Sequence, residues 1–274
     1  MRGQKVHRSL VFRLAALFAL GSALGAQPDK TPLGDVLQVQ GNWLIAGQAP
    51  HLLAGEGVAG GSLIQSDAGR KNDIIVVVLL NGQRLVATCS TSPCRATIEV
   101  PETYLNADVS FKRMLDAVRQ VLLNRRPEVA NAYSSTSSRN LGAKRWEMVV
   151  PFAGAKEISL SAALQGLGEG NYHLEMTRVS DGKFVFSKEV HWDGSRGLTV
   201  APPIAGSYLI TLDDELGDPV GDLFLVATSA KSDAEIERGF QQARRACAKW
   251  NGPEAENSTH FFLRSYLLSL PEKP

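Results

Sequence analysis

The chain has 274 residues, of which 44% are hydrophobic and 21% charged, and its 29 basic and 28 acidic side chains give a formal net charge of +1. A chain of this length and apolar content can form one large core or two modest ones, which excludes disorder throughout. A nearly neutral chain also excludes a nucleic-acid-binding protein whose surface is basic overall.

The first 26 residues have the three parts of a secretory signal. A basic start at 2–8 precedes an apolar stretch at 14–24, and small residues follow at 23–26. Segment 1–26 is therefore predicted to be a signal peptide, which makes the protein periplasmic or secreted. An uncleaved anchor is the alternative, but Arg13 interrupts the apolar run that an anchor needs. Removing four bases leaves 29 − 4 = 25 bases against 28 acids, so the processed chain has a charge near −3.

Two of the three cysteines lie close together in the sequence. Cys89 and Cys94 enclose Ser-Thr-Ser-Pro, a turn-forming tetrapeptide, and an oxidising compartment favours a disulfide between them. A catalytic redox pair would have two intervening residues, and a metal site would need more ligands. Cys247 falls on the apolar stripe of a predicted helix, where a free thiol packs as a small hydrophobic side chain.

Short strands joined by glycine turns are predicted for residues 33–100. Asn81 and Gly82, between two β-rich runs, are typical of a two-residue hairpin loop. Counting back from this loop pairs Val78 with Leu85 and places an apolar set on one face.

A helix is predicted from Asp108, as its N-cap, until Pro127 ends the pattern. Its apolar residues recur at steps of three and four. They are Phe111, Met114, Leu115, Val118, Val121 and Leu122. The basic residues on the other face are interpreted as solvated, with an anionic partner or lipid headgroups as the alternative.

Periodicity is lost at 127–145, which includes the Ser/Thr-rich stretch 132–139. We predict a linker there. It separates a small β domain with a closing helix (31–126) from a β-sandwich (146–230), and C-terminal helices follow (231–274).

The clearest hairpin of the second β region surrounds residues 180–182. A three-residue loop with Gly182 at positive φ makes paired residue numbers sum to 362, so His173 faces Glu189. This register puts an apolar set on the opposite face, comprising Tyr172, Leu174, Met176, Phe184, Phe186 and Val190. The pair is interpreted as a cross-strand surface contact, with a pH-responsive contact as the alternative.

Other segments of this region are predicted with less distinctive patterns. A strand is expected over 158–164, where apolar residues alternate, and the acidic segment 213–222 is expected to be a hairpin tip. Two helices end the chain, and the second is expected to be the shorter.

No catalytic, cofactor or metal motif is found in the sequence. His173 and His191 are placed on different faces of the predicted hairpin, which argues against joint metal ligation. Trp43, Trp146 and Trp192 are interpreted as core residues, with a sugar-binding face as the alternative.

Residues 33–100 resemble a FecR-type periplasmic domain. The resemblance is carried by Gly34-Asp-Val36, Gly41, Leu53-Ala-Gly55, Gly61-Ser-Leu-Ile64 and the Asn81-Gly82 unit. It implies a small β domain facing the cell envelope. Well-known members are sensors with a cytoplasmic segment and a membrane span that regulate sigma factors. This chain instead begins with a signal-like segment, so the resemblance implies an envelope-facing binding or scaffold role.

The predicted fold class is mainly β with accessory helices. An N-terminal FecR-like small β domain with its helix precedes an immunoglobulin-like sandwich followed by C-terminal helices. The leading hypothesis is an exported, non-enzymatic binding, sensor or scaffold protein of the bacterial cell envelope, without cofactor or nucleic acid. Its partner would be an envelope or extracellular protein or glycan, and no integral membrane segment is expected after processing.

Two other hypotheses are kept. One is an exported carbohydrate-active or cell-wall enzyme whose carboxylates converge from distant segments. The other is assembly through an exposed sheet edge.

Overall fold

A computed structural model describes residues 32–67, 69–103, 109–124, 143–152, 154, 156–164, 166–194, 198–229, 233–252 and 254–270. The predicted signal peptide 1–26, the N-cap Asp108 and most of the linker at 127–145 lie outside these residues. Among the described helices, none is long and apolar enough to span a bilayer.

The first β unit consists of two small antiparallel sheets that pack face to face. Its strands are β1 (Pro32–Gln40), β2 (Trp43–Ile45), β3 (Gly57–Ala59), β4 (Leu63–Ser66), β5 (Ile74–Leu79), β6 (Arg84–Thr88) and β7 (Thr97–Glu99). One sheet has the order β3-β1-β5-β6 and the other β2-β4-β7. Trp43 is fully buried between them, so the core interpretation of this tryptophan is confirmed.

The hairpin of β5 and β6 has a different register from the predicted one. Leu85 pairs with Val77 instead of Val78, because the loop has three residues and ends at Gly82, whose φ is 83°. The prediction was wrong because it assumed one buried face. Every residue of β5 is buried, with alternate side chains entering two different cores. A strand that is apolar on both faces fits either register.

The second β unit is a β-sandwich. Its strands are β8 (Lys144–Phe152), β9 (Ile158–Ser159), β10 (Gly170–Arg178), β11 (Phe184–Trp192), β12 (Thr199–Val200), β13 (Gly206–Asp214) and β14 (Pro219–Ser229). A five-stranded sheet with the order β11-β10-β13-β14-β8 is faced by the two-stranded sheet of β9 and β12. All pairs are antiparallel except β8 with β14, which are the first and last strands of the unit.

A tyrosine corner supports the immunoglobulin-like description of this sandwich. The hydroxyl of Tyr208, near the start of β13, donates a hydrogen bond to the carbonyl of Ile204 at 2.8 Å, as expected where the chain crosses between the two sheets. Trp146 and Trp192 are buried in the same core. The predicted class, mainly β with a sandwich and accessory helices, is confirmed.

The β10–β11 hairpin has the predicted register over most of its length. His173 pairs with Glu189 and Tyr172 with Val190, and Gly182 has a φ of 65°. Phe184 is an exception, because a β-bulge shifts the pairing near the loop and places it opposite Thr177. It therefore leaves the core side of the sheet and is 53% exposed.

Two segments of the second unit differ from the predictions. The strand expected over 158–164 is reduced to the two residues of β9, and a turn follows in which the Leu164 amide donates to the Leu160 carbonyl. Leu160 and Leu164 are four residues apart, a spacing that fits one side of a helical turn as well as one side of a strand. The alternating pattern therefore did not distinguish the two structures. The acidic segment 213–222 does contain the predicted hairpin tip, but the tip is limited to 215–218; the rest of the segment belongs to β13 and β14, and Asp222 is completely buried.

The described residues include three helices: α1 (Val109–Leu123), α2 (Asp233–Cys247) and α3 (Ala255–Ser269). The six apolar residues predicted for α1 are its six buried residues. Cys247 is buried and free, as predicted. The last two helices have 15 residues each, so the expectation of a shorter final helix was wrong.

The helices form a layer that packs against both β units. The aromatic rings of Phe111 in α1 and Phe262 in α3 stack with centroids 5.5 Å apart. The same hydrophobic cluster includes Val76 of β5 and Phe224 of β14. The described residues from 32 to 270 belong to one compact unit. The predicted domain boundary falls in the undescribed linker, while the segments on both sides of it contribute to this shared core.

Four titratable side chains join α3 to the second β unit. Arg264 donates through Nε to Glu147 at 3.1 Å and through Nη2 to Asp222. Nδ1 of His260 lies 2.9 Å from Oε1 of the same glutamate. The Arg264, Glu147 and Asp222 side chains are 2%, 5% and 0% exposed. We call these four residues the buried ion network.

Candidate functional site

The candidate site is the solvent side of the five-stranded sheet, on β10, β11 and β13. We call it the outer face. It is defined by Asn171, His173, Glu175, Ser187, Glu189, His191, Thr211 and Asp213. Alternate residues of a strand point to one side, and paired residues share a side. Helices α2 and α3 pack on the β8 and β14 part of this side, so the described helices leave the outer face open.

His173 occupies the centre of the outer face. Glu189 accepts a hydrogen bond from its Nδ1 at 2.7 Å, and the Ser187 hydroxyl lies 2.8 Å from its Nε2. The carboxylate of Glu189 raises the pKa of His173, because the hydrogen bond favours the imidazolium. The predicted pair of His173 and Glu189 is therefore present as a cross-strand contact, and Ser187 extends it.

A serine, a histidine and a glutamate in this order are also the parts of a hydrolytic triad. Catalysis would require donors aimed at the oxyanion that forms beside the serine. Here Ser187 instead pairs directly with Glu175 on β10, and this carboxylate would oppose a developing negative charge. The arrangement therefore favours binding over acyl transfer.

A glycosidase-like use of two carboxylates is opposed by the same geometry. Glu189 and Asp213 lie on the strands either side of His173, and both pair with it. Two interstrand spacings separate them, about 9.6 Å along the sheet. The imidazole occupies the position between them, where a sugar and a water molecule would have to lie.

A second polar group lies at the end of the outer face. The Nδ1 atom of His191 lies 2.8 Å from Oδ1 of Asn171, whose amide nitrogen donates to Glu215. These residues line an open depression of about 510 Å³. His191 pairs with Asn171 and shares the face of His173, so the prediction that the two histidines lie on different faces was wrong. Asn171, the partner of His191, lies two residues before His173 on β10, and alternate residues of a strand point to the same side.

The charge of the outer face is one-sided. Its strands carry Glu175, Glu189 and Asp213, and Glu215 follows at the β13–β14 turn. Their positions on this face include no lysine or arginine. Burial raises the pKa of Asp213, an effect that His173 opposes and Asp214 strengthens. Within the described ranges, no group of three or more His, Cys, Asp or Glu residues is arranged to hold a metal ion.

The disulfide predicted from sequence lies in the first β unit. Cys89 and Cys94 are bonded, with Cα atoms 5.2 Å apart, and both are buried. The Cys94 amide also donates to the Gly69 carbonyl at 2.9 Å. This is a structural role. Burial raises the pKa of the remaining Cys247 thiol far above its usual range, which disfavours the reactive thiolate.

Several residues of the outer face were missed by reasoning from sequence. Asp213 was assigned to a loop tip, and Glu175 and Asn171 were not considered site residues. The hairpin register did place Glu175 opposite Ser187 on the side of His173. The position of β13 beside β10 is a long-range pairing, which no local pattern reports. Comparison of the chain with protein-family models and with curated proteins found no match.

Proposed function

We propose that the protein is an exported, non-enzymatic binding protein of the bacterial cell envelope, with a FecR-like N-terminal β unit. Its outer face binds an envelope or extracellular partner. The observation that carries the proposal is the contrast within one sheet. The β8 and β14 part is covered by helices, whereas the β10, β11 and β13 part presents an exposed, hydrogen-bonded polar surface.

Two features support export. The first 26 residues have the composition of a signal peptide. Cys89 and Cys94 form a disulfide, a bond that persists in oxidising compartments such as the periplasm and the extracellular space. Together they agree with a periplasmic or secreted protein.

The site chemistry supports binding over catalysis. His173 is held on both ring nitrogens, which orients it for recognition. The groups around it are carboxylates, whose charge opposes an oxyanion. Polar groups on an exposed sheet face are well suited to hydrogen bonds and ion pairs with a partner surface.

The proposal is tested by fractionation and site-specific photo-crosslinking in a bacterium that expresses the full precursor. A photoreactive amino acid at Thr211, in the outer face, should yield an envelope-specific adduct. The same group at Thr97, an exposed position of β7, is the matched control. A cytosolic full-length chain, equal adducts from both positions, or a hydrolytic activity abolished by Ser187→Ala would contradict the proposal.

A further inference from the structure

We infer that β11 is a docking edge for an extended segment of a partner protein. The segment adds as a sixth strand and alternates Lys or Arg with apolar residues. This inference rests on the proposed function and deepens it by naming the partner's chemistry.

The β11 strand ends the five-stranded sheet. It has nine residues and is hydrogen-bonded to β10 on one side, and no strand of the described chain pairs with its other side. Half of its backbone N–H and C=O groups therefore point away from the sheet. Such a row of unpaired groups is a template for another strand.

Natural proteins often protect a sheet edge with proline, a bulge, or lysine and other charged side chains, including charges that point inward. The strand has no proline, and its bulge lies at the start, near Phe184. Its one lysine, Lys188, lies on the core side, opposite Leu174, where it extends over the ring of Phe186, 5.6 Å from the centroid, and donates to the Thr199 carbonyl. This inward-pointing charge protects the core side of the edge. On the outer-face side, β11 carries Ser187, Glu189 and His191 and no lysine, arginine or proline.

The two sides of β11 specify different side chains in an added strand. On the core side, Phe186 and Val190 are only partly buried, because the sheet ends there. An apolar residue opposite them would complete the cover. On the outer face, Glu189 is 75% exposed, and Glu175 and Asp213 lie one and two strands further in.

A cationic residue opposite Glu189 would lie beside this acidic surface. Opposite charges directly across two strands stabilise the pairing, and like charges destabilise it. The alternation of strand side chains then sets the period of the segment at two. A segment that carries Lys or Arg at every second position and apolar residues between them satisfies both sides of β11.

The same charges disfavour a second copy of this chain as the occupant. Symmetric pairing through β11 would join two outer faces edge to edge. Each face carries Glu175, Glu189 and Asp213 without a lysine or arginine. Like charges would then meet across the new strand pair.

The test uses two fluorescein-labelled peptides of equal composition, Lys-Val-Lys-Val-Lys-Val-Lys-Val and Lys-Lys-Lys-Lys-Val-Val-Val-Val. Anisotropy titrations with the processed protein should show at least tenfold tighter binding of the alternating peptide. Glu189→Gln should weaken it about two- to fivefold, the range of an exposed ion pair. Glu99→Gln, at an exposed strand position of the first β unit, should leave it unchanged. Backbone amide exchange of 184–192 should slow on binding.

Equal affinity of the two peptides, or equal effects of the two glutamate variants, would overturn the inference. Slowed exchange confined to other strands would do the same. A dimer in light scattering with protected β11 amides would place a second copy at the edge and also overturn it. A failed peptide titration together with position-specific envelope adducts from Thr211 would refute this inference while leaving the proposed function standing. Binding of the alternating peptide by a protein that is retained in the cytosol would support this inference and refute the proposed function.

Discussion

Replacing Arg264 with methionine should destabilise the fold more than any surface change, because it breaks the buried ion network. Its guanidinium contacts both Glu147 and Asp222 and so joins the two carboxylates. Methionine retains much of the side-chain length but removes the charge and both hydrogen bonds. Asp222, at 0% exposure, would lose its hydrogen-bond donor, and its Oδ2 atom already has none in the described structure.

The expected loss follows from the burial of the charge that remains. Removing one partner of a buried ion pair costs about 3–5 kcal/mol. For a chain of this size each kcal/mol shifts the melting temperature by about 2–4 °C, so Arg264→Met should lower it by about 6–20 °C. Arg245→Met, at an exposed position of α2, is the matched control and should change it little.

Urea denaturation of the two variants and of Arg264→Met/Asp222→Asn is the assay. The second substitution removes the orphaned charge and should recover about 1–3 kcal/mol of the free energy of unfolding. A loss below about 1 kcal/mol for Arg264→Met, in the range of an exposed pair, would refute the reasoning.

Three further predictions concern the first β unit. Burial raises the pKa of Asp35 from 3.8 to about 6, so its contribution to stability falls as the pH rises through this range; Asp35→Asn should stabilise the fold by about 3 kcal/mol at pH 8 and little at pH 4, measured by urea denaturation at both values. Reducing the Cys89–Cys94 disulfide should cost about 2 kcal/mol, the loop entropy of so short a ring, in calorimetry with and without reductant; no change would contradict a structural role. Gly41→Ala should lower the free energy of unfolding by about 2–4 kcal/mol, because φ is +85° and a Cβ would lie 2.2 Å from the Asp73 side chain. Gly47→Ala is the control: φ is +82° there and the space around it is open, so it measures the cost of the backbone conformation alone.

The two hairpins show when a sequence specifies register. Around Gly182 one face is polar and the other apolar, so a single register fits, and His173 does pair with Glu189. Around Gly82 both faces of β5 are buried, and the apolar pattern no longer distinguishes registers that differ by one residue. The information missing there was the helical layer on the second side of the strand.

The candidate site could be predicted only in part for a related reason. The pair of His173 and Glu189 follows from a local turn, and so does the position of Ser187. Asp213 joins them through a pairing of β10 with β13, and the cover on β14 comes from helices near the end of the chain. Contacts between distant segments depend on the whole fold, so periodicity within one segment does not reveal them.

The helical layer contacts both β units through its last two helices, α2 and α3. Phe262 of α3 stacks on Phe111, and Arg84 of β6 donates to Ser258 of α3 at 3.0 Å. Trp250, between α2 and α3, donates to the carbonyl of Gly82 at 2.8 Å. Without α2 and α3 the shared hydrophobic cluster would lose Phe240, Phe262 and Leu263, and the helix-facing sides of β5 and β14 would be exposed together. The cores within the two β units contain no helix residue, so a chain cut before α2 should keep those cores and expose apolar surface on both units.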